Sequence, residues 1–105
     1  MTIHINARRG FDKSAGNTYH TVTLWVDGEV VGQSDKAYGY GEHFLVTAGH
    51  LAAKLGFLPD LLKKPENEAT YADLDEVGYE FARWQYRKKN GVTYDVVDVE
   101  REMAL

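Results

Sequence analysis

Four histidines, His4, His20, His43 and His50, are the side chains best suited by type to metal binding or proton transfer. Metal ligands must converge at about 2 Å around one ion. His43 and His50 share one face of a helix but stand about 10 Å apart along its axis, too far to chelate together. No His-Glu-x-x-His pattern or comparable ligand spacing is present. The expectation is hydrogen-bonded or solvent-facing histidines, with no metal and no cofactor. Ser14 and Ser34 lie outside any Gly-x-Ser-x-Gly elbow, and no base is placed beside them by spacing. The chain has no cysteine, which removes thiolate nucleophiles, thiolate zinc sites and disulfides together. The carboxylate groups Asp73, Asp75, Glu76 and Asp95, Asp98, Glu100 read as solvated charge on a helix start and an edge strand. Tyr38-Gly39-Tyr40-Gly41 precedes a helix N-terminus, where a phosphate can bind. It lacks the lysine of a phosphate-binding loop and the third glycine of a dinucleotide fingerprint, so its simpler role is a sharp turn with both rings packed on a sheet. No catalytic residue is assigned, and the chain is expected not to be an enzyme.

Binding chemistry is better represented. Arg8, Arg9, Phe11 and Lys13 make a basic stretch with an aromatic in it. Tyr19 and Trp25 share one side of a strand, and Tyr38 and Tyr40 flank the glycines. Amphipathic aromatics and arginine anchor many interfaces. Two readings stay open here: these rings are exposed anchors on an uncovered sheet face, or they pack beneath a loop over residues 8–17.

The elements that must position these groups follow from periodicity. Ile3 and Ile5 alternate with polar neighbours as a short strand; residues 8–17, with two glycines, Asp, Ser and Asn, read as a loop. Thr18 to Val26 is the clearest strand, with His20, Val22, Leu24 and Val26 on one side. Asp27-Gly28 supplies the positive-φ pair of a tight hairpin turn into Glu29-Val30-Val31. Phe44, Leu45, Ala48, Leu51, Ala52 and Leu55 form a helical stripe closed by Gly56. Residues 57–67 hold both prolines and read as a connector. Thr70 with Asp73 resembles a capping box, opening a second helix whose stripe runs Leu74, Val77, Phe81, Trp84, Lys88 and which ends at Asn90-Gly91. Val92 to Val99 reads as an edge strand guarded by charge. The predicted fold is α+β, one domain over 1–105: a small antiparallel sheet in β-β-β-α-α-β order with two helices on one face.

The 105 residues suffice for a core without staples, and the formal net charge is −4 from 12 basic and 16 acidic side chains. That balance argues against bulk attraction to nucleic acid, though not against a local basic patch. No apolar run approaches the ~20 residues that span a bilayer, and the N-terminus lacks a signal-peptide pattern. A cytoplasmic protein is expected.

The ordered series Ala7-Arg8-Arg9 with Phe11, Gly16-Asn17-Thr18-Tyr19-His20, Val26-Asp27-Gly28 and Tyr38-Gly39-Tyr40-Gly41 resembles small accessory proteins of bacteriophages and prophages. The resemblance covers about the first half of the chain and implies a setting, the cytoplasm of a bacterial host, without an activity. In that setting the leading expectation is a non-enzymatic protein that binds a host protein or complex. One version is an inhibitor of a bacterial defence complex (anti-CRISPR-like) whose Asp73, Asp75, Glu76, Asp95, Asp98 and Glu100 meet basic residues. A nucleic-acid-binding module using Arg8, Arg9, Lys13 and the exposed aromatics ranks second, and a small hydrolase or metal enzyme using His20, His43 or His50 third. A homodimer is permitted by the edge strand and the aromatics.

Overall fold

The structure, a computed structural model, describes residues 1–100 and 105. Its centre is strand β1 (Ile3–Asp12), paired antiparallel with β2 (Asn17–Val26) and parallel with β5 (Thr93–Val99). β3 (Glu29–Gln33) lies outside β2, giving the order β3-β2-β1-β5, and the two-residue β4 (Ala37–Tyr38) pairs with β2 further along. The sheet is therefore mixed where the sequence predicted an antiparallel one. The reason is the long crossover between β3 and β5, which returns the chain to the far side of β1 in the same direction as β1.

β1 also runs further than its hydrophobic alternation suggests. Residues 8–12 pair with Asn17–Thr21 instead of looping out. The turn itself is confined to Lys13–Gly16, where Asp12 Oδ1 accepts from the amides of Ser14 and Ala15 and from the Ser14 hydroxyl. At the other hairpin Asp27 (φ 51°) and Gly28 (φ 84°) adopt the expected left-handed pair.

Helix α1 (His43–Lys54) and helix α2 (Tyr71–Phe81) pack together over one face of the sheet, joined through a single 3-10 turn at Glu66–Glu68. Their buried stripes meet Ile3, Ile5, Ala7, Val22, Leu24 and Val26 in one hydrophobic cluster. The capping box of α2 is present as predicted, with Thr70 and Asp73 bonded reciprocally.

The second predicted helix is two. It breaks at Arg83 (ψ 133°), and α3 (Trp84–Asn90) starts on a new axis. A continuous helix would carry Trp84 and Lys88 down the buried stripe. The break turns them outward, leaving Trp84 63% exposed, and brings Tyr86 and Arg87 inward instead. Among the described residues, no helix is long and apolar enough to cross a membrane.

Candidate functional site

With the helices on one side, the opposite sheet face carries Tyr19, Thr21, Thr23 and Trp25 from β2 beside Arg8, Asn6 and His4 from β1. All four β2 side chains are half-buried, so they are not sealed under a loop. This uncovered face has two unlike halves.

The half at the start of β1 is tied up by its own hydrogen bonds. His4 Nδ1 lies 2.6 Å from Thr93 Oγ1 and its Nε2 3.2 Å from Asp95 Oδ2. Asn6 Nδ2 donates to both Asp95 oxygens, at 2.9 and 3.0 Å, and Trp25 Nε1 donates to Asn6 Oδ1. Hydrogen bonds from Asn6 and then His4 hold the Asp95 carboxyl below the usual range against its slight burial. Trp25 is thus a bonded member of a network across β2, β1 and β5.

The half at the end of β1 is aromatic and basic. Tyr19 stands opposite Tyr38, and their rings meet edge to face with centroids 5.9 Å apart. Lys36 Nζ sits 5.1 Å from the Tyr19 ring centroid. Tyr38 is 59% exposed and Tyr40 76%, whereas Phe11, 47% exposed, alternates onto the helix-bearing side of the sheet with Arg9. Arg8 is exposed and makes no hydrogen bond or ion pair among the described residues, and Lys13 projects from the adjoining turn. Arg9 plays a different part. Its Nε and Nη2 donate to Asp98 Oδ1 and Oδ2 at 2.7 and 3.0 Å, and its Nη1 donates to the Gly41 carbonyl at 2.7 Å. The guanidinium raises no ligand surface of its own; it straps loop 39–42 and β5 to β1 and lowers the Asp98 pKa.

That loop is held from below as well. Gly39 N–H donates to the Thr18 carbonyl at 3.0 Å, and the fully buried His20 joins the Gly39 carbonyl (Nδ1, 3.2 Å) to Thr47 Oγ1 (Nε2, 2.6 Å). Burial pushes the His20 pKa down. A Cβ on Gly39 would lie 2.5 Å from the His43 ring, so the close approach of loop and helix requires glycine there. Two hollows flank the loop: one of ≈440 Å³ lined by Tyr38, Tyr40, Glu42 and His43, the other of ≈300 Å³ lined by Arg9, Phe11, Thr18 and Asp98.

Arg8, Lys13, Tyr19, Tyr38 and Tyr40 therefore lie at one end of the sheet, with Phe11 on the helix-bearing side of that end. Trp25 is not with them; it lies six residues from Tyr19, roughly 20 Å along β2. Tyr40, expected to pack on the sheet, faces solvent instead because Gly41 (φ 64°) turns the chain away.

Of the six acidic residues expected to form a charged surface, four have partners, while Glu76 and Glu100 are exposed with none among the described residues. Asp73 caps α2 and accepts from Lys64 at 2.9 Å, contacts that lower its pKa to about 2. Asp75 lies 3.5 Å from His50 Nδ1, and Asp95 and Asp98 are engaged as above. His4 lies on the open face and His50 beside Asp75, while the buried His20 ring meets the His43 ring with centroids 5.8 Å apart; among the described residues no group of three His, Asp or Glu could hold a metal ion.

No family model and no curated protein matches the chain. Solved structures with a similar backbone include RNase H1 from the halophilic archaeon Halobacterium salinarum NRC-1, at 17% identity over 98% of this chain and 89% of that one, with a TM-score of 0.44. Another is the N-terminal RNase H domain of rv2228c from Mycobacterium tuberculosis, solved as a fusion with maltose-binding protein, at 15% identity over 95% and 83% and a TM-score of 0.44. Both are RNase H domains. The expectation of a non-enzymatic, anti-CRISPR-like protein is corrected on that finding.

The sequence reading missed the strap made by Arg9 and the pairing of Trp84 with Lys88. The first depends on partners 32 and 89 residues away and had no local signal. The second was visible as an i, i+4 spacing.

Proposed function

We propose that the protein binds single-stranded nucleic acid at the aromatic–basic end of its uncovered sheet face. The observation that carries this reading is the half-exposed Tyr38 ring, braced edge-on by Tyr19, with Arg8, which has no partner among the described residues, on the same sheet face two strands away. Bases stack on such rings whatever their sequence, and a nearby guanidinium meets the phosphate between them. Lys13 and Tyr40 extend the platform at its rim. The modest negative charge of the whole chain fits a local contact better than a broad basic groove. Part of the same proposal is the setting, a bacterial cytoplasm, supported by the phage-type motif series and the absence of cysteine.

Fluorescence anisotropy with labelled single-stranded and duplex oligonucleotides at low salt tests it. Single strands are expected to bind more tightly than duplex. Tyr38→Ala should weaken them about tenfold, the scale of one lost base stack at 1–3 kcal/mol, and Arg8→Ala should flatten the salt dependence by roughly 0.7 of a log unit per log unit. No shift with any single strand, or identical affinity in both variants, sinks the reading.

A further inference from the structure

The break at Arg83 leaves α3 with an outward face that the core does not explain. Between Glu80 and Asp95 there is no acidic residue, yet Arg83, Arg87, Lys88 and Lys89 all fall there, in a chain whose net charge is −4. Two of the four are engaged. Arg83 Nε pairs with Glu80 at 3.2 Å, and Arg87 is 6% exposed with its guanidinium 5.5 Å from the Tyr94 ring. Lys88 and Lys89 remain exposed, and Lys89 has no ion-pair partner among the described residues. Lys88 Nζ stands 4.6 Å from the ring centroid of Trp84, the most exposed tryptophan of the chain.

Trp84 thus presents a large ring at the surface with the Lys88 ammonium on it, a pairing of the kind that anchors interfaces, while Lys89 adds a second cation further round α3. We propose that Trp84, Lys88 and Lys89 form a second contact for single-stranded nucleic acid, one base stacking on Trp84 while the lysines meet the flanking phosphates. The inference rests on the nucleic-acid reading above and extends it to the opposite side of the molecule's sequence. Charge complementarity favours a polyanion, and the flat ring beside the Lys88 charge favours one whose units carry bases over an acidic peptide, which offers carboxylates without a stacking partner.

The chain's two tryptophans, Trp25 and Trp84, make the test direct. In the full-length Trp25→Phe protein, Trp84 is the sole emitter. Titration with oligothymidylate should quench it, with the midpoint that anisotropy gives for the same oligonucleotide. Lys88→Ala combined with Lys89→Ala should lower the salt slope by about 1.4, two phosphate contacts' worth, and Trp84→Ala should weaken binding about tenfold. Oligonucleotide binding with unchanged Trp84 emission and unchanged slope overturns this contact and leaves the sheet-face site standing. No oligonucleotide binding at all overturns both. Quenching by polyglutamate or by anionic phosphatidylserine vesicles, with none from oligothymidylate, assigns the patch to another polyanion and overturns it too.

Discussion

His20 decides how the glycine–tyrosine loop sits. The Gly39 carbonyl can only accept, so His20 Nδ1 carries the proton and Nε2 accepts from the Thr47 hydroxyl. Both ring nitrogens are used while the imidazole is neutral. Burial lowers its pKa below the ordinary value near 6.5. A base whose folded pKa is depressed binds its proton more readily when unfolded. Its contribution to stability is therefore complete above about pH 6.5 and is lost as the pH falls from there toward the folded pKa. The urea midpoint is expected to drop between pH 7.5 and pH 5.5, and His20→Gln, which keeps a donor and an acceptor without titrating, should flatten that drop. Equal slopes in the two proteins would show that other groups drive it. The burial of His20 was legible in the sequence, since it alternates with Val22, Leu24 and Val26. Its partners were not, because Gly39 and Thr47 are 19 and 27 residues away and only the folded sheet brings them over the ring.

Helices α1 and α2 are set by two glycines that face each other. A Cβ on Gly49 would lie 2.6 Å from Phe81 Cβ, and one on Gly78 would lie 2.6 Å from the Val46 carbonyl oxygen. Backbone cannot give way as a side-chain tip can. Overpacking there costs about 1–3 kcal/mol, more than the roughly 1 kcal/mol that alanine gains in helix propensity. Gly78→Ala should lower stability by a net ~1 kcal/mol, read as a lower denaturant midpoint; a stabilised variant would mean that the helices separate freely. The start of α2 allows a second measurement. Thr70→Ala removes a cap worth about 1 kcal/mol. Asp73, held at about pKa 2 first by Lys64 and then by Thr70, supports the helix above pH 4 and ceases to as the pH falls toward 2. Helix content by circular dichroism should therefore fall over that window in the parent and less so in Asp73→Asn. The capping box was readable because its four residues are local. The break at Arg83 was not, because the 3.6-residue period continues smoothly through Trp84 and Lys88. Burial of Tyr86 and Arg87 against Phe81 and Tyr94, from other turns and another strand, decides against that period.

At the scale of the whole molecule, β1 is hydrogen-bonded on both sides, and the two sides differ in kind. The β1–β2 hairpin is local in sequence and buries Ile5, Ala7, Val22 and Leu24 completely or nearly so. β5 joins from 89 residues away and keeps most of its side chains in water. Its valines and its acidic residues marked an edge strand in the sequence; its parallel direction had no local mark, since a strand's partner is fixed by where the crossover lands. What attaches β5 is its backbone ladder to β1, the Arg9–Asp98 fork, and the bonds from Asp95 to Asn6 and His4. Its apolar support is limited to Tyr94 against Phe44 and Val96 against the core, and elements with few buried apolar contacts open at lower free energy than the core. Native-state hydrogen exchange should therefore find β5 opening by itself, below the global unfolding free energy reported by β2 amides at Val22 and Leu24. Arg9→Ala removes the fork and frees loop 39–42, so it should accelerate exchange in β5 and at Gly39 while Leu24 stays unchanged. If β5 and β2 exchanged with one common free energy, and Arg9→Ala moved both together, the strand would be an integral part of the core and not a separately attached edge.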